Sequence, residues 1–506
     1  MASRRDELNA YTFAKKRLLA AFLQPTPSGT EEGAPRPLRA VVPGLIIGVV
    51  IMAGFGAWGM FKPKAPEGWD EPGQKVIIGS DSTTRYVVLK TDGKTQLHPV
   101  LNLASAKLLL DPDKFEIVEV DEKTLDNGDI PHGATIGIPY APDRLPDAGE
   151  ASESKRWAVC TQPGANGRSA QKAAFVLADR EKSKVEGKSR LRAGDVMYVE
   201  GPGDKLYVVD KSGTAYPIAR DPNLLLNVVG KTRNEPQQVT EDWLKTLKKG
   251  DAIQFPTVER IGDPAGVPGN LDANANKIGT VLKADTGDGP QHYVVLDKQV
   301  RPVTDFMAKL LLNSKESISL GQHGKPTAVS LGAISPSNDV YGGNLEWPED
   351  EAETVNKSSG DRDTLCNVLR DVDKKEGTTT LSTWASDDYP AALPNGATSA
   401  YVSPGSGLLF RQVKGQDTKS GGVFLVTDTG LRYAVQGNAD SGEDESGIGS
   451  DGKKKTKEQA QEEGNRAQLR LGFKDATPVP VPAVWSQFLP TGPRLSTSAA
   501  KQPQGS

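Results

Sequence analysis

The chain has 506 residues, enough for several domains, and a formal net charge of −4 at pH 7, too small to suggest a nucleic-acid partner. It holds only four His (His98, His132, His292, His323) and two Cys (Cys160, Cys366), with no CxxC, Cys/His cluster or HExxH, so a zinc site is not expected.

The leader opens with Ser3-Arg4-Arg5-Asp6, a loose capping box. Leu8, Tyr11, Ala14, Leu18 and Phe22 then recur at helical spacing, with Lys15, Lys16 and Arg17 read as lying largely off that stripe, until Pro25 and Pro27 stop the helix. Such a short basic helix can lie on an anionic leaflet, dock on a partner subunit, or remain a solvated tail.

Next comes Ala40 to Phe61, a charge-free apolar run of the length a transmembrane helix needs. A buried soluble helix of this length would usually carry a polar face. A cleaved signal peptide would have a shorter leader and an A-x-A site. A signal anchor fits better. Lys62, Lys64, Glu67, Asp70 and Glu71 flank its far end, so the positive-inside bias beside the span is nearly a tie. Arg4, Arg5, Lys15, Lys16, Arg17, Arg36 and Arg39 outweigh Asp6, Glu7, Glu31 and Glu32 across the whole leader, which favours a cytoplasmic N-terminus. Trp58, Phe61 and Trp69 suit an outer interface belt. Gly44 and Gly48 form a GxxxG, extended by Ala53 and Ala57, where a second membrane helix can approach closely; such a match also arises by chance.

Beyond residues 62–73, a Pro- and Gly-rich linker, the chain repeats itself. Arg85–Leu89, Leu206–Asp210, His292–Leu296 and Val423–Val426 are each followed by a turn rich in Asp, Gly, Lys or Ser and then a second strand. Pro ends that second strand in three of the four, and an apolar helix-like stretch follows the first three, such as 101–110 and 306–312. Tyr86-Val87-Val88-Leu89 with Lys107-Leu108-Leu109-Leu110 returns as Tyr293-Val294-Val295-Leu296 with Lys309-Leu310-Leu311-Leu312, and one Cys follows each at nearly the same distance. The expected fold is α+β: one N-terminal transmembrane helix, then an extracytoplasmic region of four small β-hairpin/helix repeats around a central core with approximate two-fold symmetry.

The expected segments are a tail (1–39), the span (40–61), a linker (62–73), repeat 1 (74–147), core segment A with Cys160 (148–199), repeat 2 (200–262), a linker (263–276), repeat 3 (277–335), core segment B with Cys366 (336–400), repeat 4 (401–498) with a disordered insertion at 438–468, and a flexible tail (499–506). Cys160 and Cys366, at equivalent places in the two halves, are expected to form a disulfide in an oxidising compartment, the alternative being two free thiols.

Catalytic chemistry is hard to find. Gly447 to Lys453 satisfies GxxxxGK, but Lys454 stands where a P-loop needs Ser or Thr, and no apolar strand precedes it. There is no GxSxG, and no spacing singles out a carboxylate pair. No catalytic, cofactor-binding or metal residue is assigned, and no cofactor.

With these residues in view, the chain resembles EccB, a core membrane subunit of type VII (ESX) secretion systems. Tyr11-Thr12-Phe13-Ala14-Lys15-Lys16-Arg17-Leu18 is similar to that family's cytoplasmic helix. Gly137-Ile138-Pro139-Tyr140-Ala141-Pro142-Asp143 resembles its GIPxAPD-type signature, and Leu489-Pro490-Thr491-Gly492-Pro493-Arg494-Leu495-Ser496 its C-terminal segment. The resemblance implies a structural subunit of the cell-membrane translocation complex, with the bulk of the chain extracytoplasmic. It implies partners of the EccC-like ATPase, EccD-like and EccE-like types, a mycosin protease in some complexes, and self-association of the outer domain. The acidic insertion departs from the compact family pattern, as does the loosely basic leader. A membrane-anchored glycan-binding module and a membrane-anchored hydrolase are the alternatives, the first requiring exposed aromatics on equivalent faces of the repeats.

Overall fold

The computed structural model describes residues 3–23, 38–61, 65–164, 170–230, 235–357, 361–394, 399–435, 448 and 466–504, with side chains given for 41–57 of the second helix. The chain divides into two compact units, Met1–Glu67 and Gly68–Ser506.

The first unit holds α1 (Arg4–Leu23) and α2 (Leu38–Phe61). Ser3 caps α1: its N–H donates to Asp6 at 3.2 Å and its hydroxyl accepts from Arg5 N–H at 3.4 Å. The stripe is less clean than its spacing suggests. Lys15 sits among Tyr11, Ala14, Leu18, Leu19 and Phe22, and Phe13 is exposed although it lies off the stripe. Lys15, four residues from Tyr11 and Leu19, shares their helix face, so the basic run is not confined to the other side. In α2 the described large apolar side chains are exposed. Among the described residues no helix is long and apolar enough to cross a membrane.

The second unit is built from five sheets. The first contains β1 (Lys75–Gly79), β2 (Arg85–Thr91), β3 (Lys94–Pro99) and, after α3 (Leu103–Leu109), β4 (Glu116–Val120). Its order is β3-β2-β1-β4: an antiparallel meander whose helix returns the chain to lay β4 parallel to β1. Asn102 caps α3 by accepting from Ser105 N–H at 3.0 Å.

After β5 (Arg156–Gln162) and β6 (Gln171–Leu177) the pattern recurs as β7 (Asp195–Gly201), β8 (Lys205–Asp210), β9 (Thr214–Ile218), α4 (Pro222–Val229) and β10 (Gln237–Gln238), with β11 (Lys248–Lys249) added beside β9. The third sheet has β12 (Val281–Thr286), β13 (Gly289–Leu296), β14 (Gln299–Val303), α5 (Asp305–Leu312) and β15 (Thr327–Ala328). Then β16 (Glu353–Thr354) pairs with β7, and β17 (Thr364–Val372), β18 (Thr379–Ser386) and β19 (Ala400–Val402) complete the central sheet, order β18-β17-β5-β6-β19. The last sheet has β20 (Gly407–Val413), β21 (Val423–Thr427), β22 (Arg432–Ala434) and β23 (Val479–Pro482), in the same order as the first.

One ladder can be followed across each of the four outer sheets: Val118–Ile77–Tyr86–Pro99, Gln237–Val199–Tyr207–Pro217, Thr327–Leu282–Tyr293–Pro302 and Val479–Phe410–Phe424–Ala434. Proline lacks an N–H but keeps its carbonyl. That carbonyl accepts from a returning segment: Pro99 from Ile136, Pro217 from Ile253, Pro302 from Tyr341, with Ala434 accepting from Leu495 in the fourth.

The outer sheets pack in pairs. The first and fourth sheets share a core in which Val76, Val87 and Leu108 meet Leu409, Leu425 and Tyr433. The second and third share another, where Val196, Leu206 and Val228 meet Phe306 and Leu310. The central sheet packs one face on the second and fourth, through Trp157, Val159 and Leu365 against Met197, Val209, Leu408 and Phe410. Exchanging the halves carries the second-to-third contact onto the fourth-to-first.

Several expected boundaries move. The second repeat starts at Asp195 rather than 200, because its first strand precedes the hairpin. The central sheet runs on to Val402, because β19 pairs with β6. Residues 263–276 are not a solvated linker. Pro264 bridges Lys277, and Ala265, Val267 and Ala275 are buried against β12 and β13. Core segment B is divided, with Pro336 bridging Val300 of the third sheet and β16 joining the second. Nor is 499–504 a free tail: Ser496 caps the turn Thr497–Ala500, Ala500 is fully buried, and Gln504 donates to Gly137 O at 2.9 Å. Most of the insertion, like residues 24–37, lies outside the described residues.

Candidate functional site

The seam between the halves is the β5–β17 pair. In antiparallel strands two directly opposed residues lie on a local two-fold axis. Cys160 stands directly opposite Cys366, with Leu365 opposite Thr161 and Asn367 opposite Val159. The two Cys are disulfide-bonded, with Cα atoms 4.0 Å apart. Both are buried completely, among Ala158, Ala173, Phe175, Val368 and Trp384.

The other face of the seam anchors the second outer sheet. Trp243, fully buried in the turn after β10, donates from Nε1 to Val159 O at 3.2 Å. Asn367 Nδ2 donates to Trp243 O at 3.2 Å and to Thr246 Oγ1 at 2.6 Å. Trp485 occupies the corresponding turn after β23 and is buried in the same cluster. The sequence contained this signal, a Trp a few residues beyond the fourth strand in each half, but the fourth strands were not visible to give it a reference point.

A second repeated device was also missed. Each returning segment runs beside the third strand, and Gly133, Gly250 and Gly492 donate from N–H to Leu97 O, Ala215 O and Arg432 O, each at 2.9 Å. A Cβ on these glycines would collide with His98, Tyr216 and Tyr433, the next residue of each third strand. Each ring is held from behind. His98 Nδ1 donates to Ala134 O at 2.9 Å and Nε2 faces Thr91 Oγ1 at 3.4 Å; Tyr216 donates to Asp210 at 3.0 Å; Tyr433 donates to Tyr140 O at 3.2 Å. Burial pushes the His98 pKa down and the Tyr216 and Tyr433 hydroxyls up. In the third repeat Ser337 and Arg301 stand at these places.

Gly44 and Gly48 are on α2, and neither has a neighbour within 4 Å of where a Cβ would sit. They belong to the first unit.

Chemistry-bearing groups are dispersed. His292 Nδ1 faces Asp305 at 2.7 Å, but the adjacent hydroxyl of Thr304 is turned to Met307 N–H as the cap of α5. His132 pairs with Asp126 at 3.3 Å. Among the described residues no group of three or more His, Cys, Asp or Glu could hold a metal ion. The GxxxxGK stretch lies outside the described residues except Ile448.

Among the described residues, four small sheets and one disulfide-bridged central sheet define a mixed α+β protein. The chain belongs to the family "Type VII secretion system ESX-1, transport TM domain B", the EccB family, whose model matches residues 1–505. It is 29% identical over 300 residues to the ESX-1 secretion system ATPase EccB1 of Mycolicibacterium smegmatis, covering 59% of this chain and 58% of that protein's length. It is 24% identical over 533 residues to the ESX-3 secretion system ATPase EccB3 of Mycobacterium tuberculosis, covering 98% of this chain and 88% of the relative. Among solved structures, a chain of an intact ESX-5 inner membrane complex matches with a TM-score of 0.56 at 20% identity, covering 100% of this chain and 96% of that one. The EccB3 dimer from the ESX-3 core complex matches with a TM-score of 0.56 at 22% identity, covering 84% and 99%. These likenesses establish the fold.

Proposed function

We propose that this chain is a non-catalytic structural subunit of a type VII secretion membrane complex, anchored by α2 and acting through its extracytoplasmic platform. The family match across residues 1–505 carries the reading. The organisation supports it: four matched units locked to one seam make a rigid body suited to holding partners in fixed relation. The expected partners are EccC-like, EccD-like and EccE-like subunits, a mycosin protease, and a second copy of the outer region. The solved relatives, one in an inner membrane complex and one a dimer, support such assembly.

The membrane anchor rests on α2. Among the described residues no helix is long and apolar enough to cross a membrane, so the support is the sequence: Ala40–Phe61 carries no charge and has the length a transmembrane helix needs. Gly44 and Gly48, with open space beside them, suit packing against a partner's membrane helix. The glycan-binding alternative is disfavoured, because the ring-bearing residues at equivalent positions are committed to packing: Tyr293 is buried, Tyr207 and Phe424 pack on the central core, and Tyr86 meets His132 edge-on.

Protease added to intact spheroplasts tests the arrangement. The region after Phe61 should be degraded while an epitope near Met1 survives. Protection of the large region would contradict the orientation.

A further inference from the structure

One end of the β5–β17 seam carries a basic cluster that spans the two halves. Arg156 opens β5, and Arg370 lies on β17 where the register shifts between Leu369 and Asp371. These neighbouring strands bring two guanidinium groups to the same end of the seam. Glu186 reaches both: its Oε1 accepts from Arg156 Nη1 at 2.6 Å and from Arg370 Nη1 at 2.8 Å. Its Oε2 accepts from Arg190 Nη1 at 3.0 Å. Three guanidinium groups thus share one carboxylate.

The donor surplus is large. A guanidinium offers five N–H donors in a fixed fork. Arg370 spends one more on Ser382 Oγ at 3.3 Å, and Arg156 Nε is buried with no hydrogen-bond partner. Asp179, the other acid acting on Arg156, is itself paired with Lys182 at 3.0 Å. The Arg156, Arg190 and Arg370 side chains remain 18%, 37% and 20% exposed, so the cluster is reachable from solvent. Burial and then the charge of Arg370 push the Arg156 pKa down.

We propose that this cluster is an oxyanion-binding site, taking a carboxylate or phosphate group beside Glu186 on the forks of Arg156, Arg190 and Arg370. Both groups match the guanidinium fork. The bound group supplies the negative charge that the protein leaves out.

Thermal unfolding of the full chain in mild detergent tests this with pyrophosphate, succinate and chloride at equal ionic strength. A saturable rise in midpoint is expected with pyrophosphate, succinate or both, and none with chloride. A response to pyrophosphate alone assigns the site to phosphoryl groups; a response to succinate includes carboxylates. Glu186→Gln removes the internal competitor and should tighten binding. Arg190→Gln, at the most exposed of the three, should weaken it about tenfold. The same non-saturating shift with all three salts would overturn the proposal. So would a saturable shift that both variants leave unchanged. Should Glu186→Gln fail to fold, the comparison with Arg190→Gln decides.

Discussion

Gly133, Gly250 and Gly492 pass so close beneath a ring that a single methyl group has no room. Gly250→Ala must displace Tyr216, which is buried and tied to Asp210, or push the returning segment away from β9. Overpacking of this kind costs about 1–3 kcal/mol. Denaturant unfolding should show that loss for Gly250→Ala, whereas Gly332→Ala, with open space around it, should be close to neutral. Equal effects would show that the ring contact is not what sets the cost. His98 adds a pH dependence. Its folded pKa lies below the ordinary 6.5 because burial disfavours the cation, which outweighs the opposite pull of its Nδ1–H bond to Ala134 O. Below the unfolded value the unfolded chain takes up a proton that the folded chain refuses. This contribution to stability is therefore intact above about pH 6.5 and falls as pH drops toward the folded pKa. The slope of the unfolding midpoint between pH 7 and 5 should be shallower in His98→Gln than in the parent chain. An unchanged slope would remove His98 from the acid response.

The hairpins at β2–β3, β8–β9, β13–β14 and β21–β22 could be read from the sequence because β-branched and aromatic runs flank turn residues whose chemistry is local. The first and fourth strands of each unit could not. β10 and β15 are two residues long, and parallel pairing to a strand dozens of residues earlier leaves no local pattern. The segment at 263–276 looks polar by composition, yet it buries Ala265, Val267 and Ala275, residues small enough to pass unnoticed. The seam was legible from the position of each Cys within its half; the three-arginine cluster was not, since it joins Arg156, Glu186, Arg190 and Arg370 across two strands and a turn. The disulfide closes a separation of 206 residues. Chain-entropy reasoning gives about 5 kcal/mol for such a loop, an upper figure because residual unfolded structure reduces it. Cys160→Ala with Cys366→Ala should lower stability toward that limit, and hydrogen exchange should rise first at β5 and β17. Exchange rising first in an outer sheet would mean that the bond does not govern the seam.

At the scale of the whole molecule, the two halves alternate around the central sheet so that the contact between the second and third sheets repeats between the fourth and first. Such a body offers paired, similar surfaces, which suits a subunit that meets several partners and a second copy of itself. The family match and this architecture make assembly the central claim. The most direct measurement is recovery of the tagged full-length chain from its host membrane in mild detergent, with the co-purifying proteins identified and their ratios determined. The account predicts a complex of type VII membrane subunits at fixed stoichiometry, diminished when Gly44→Leu and Gly48→Leu are combined. Recovery of this chain without type VII subunits, from membranes where those subunits are present and intact, would contradict it.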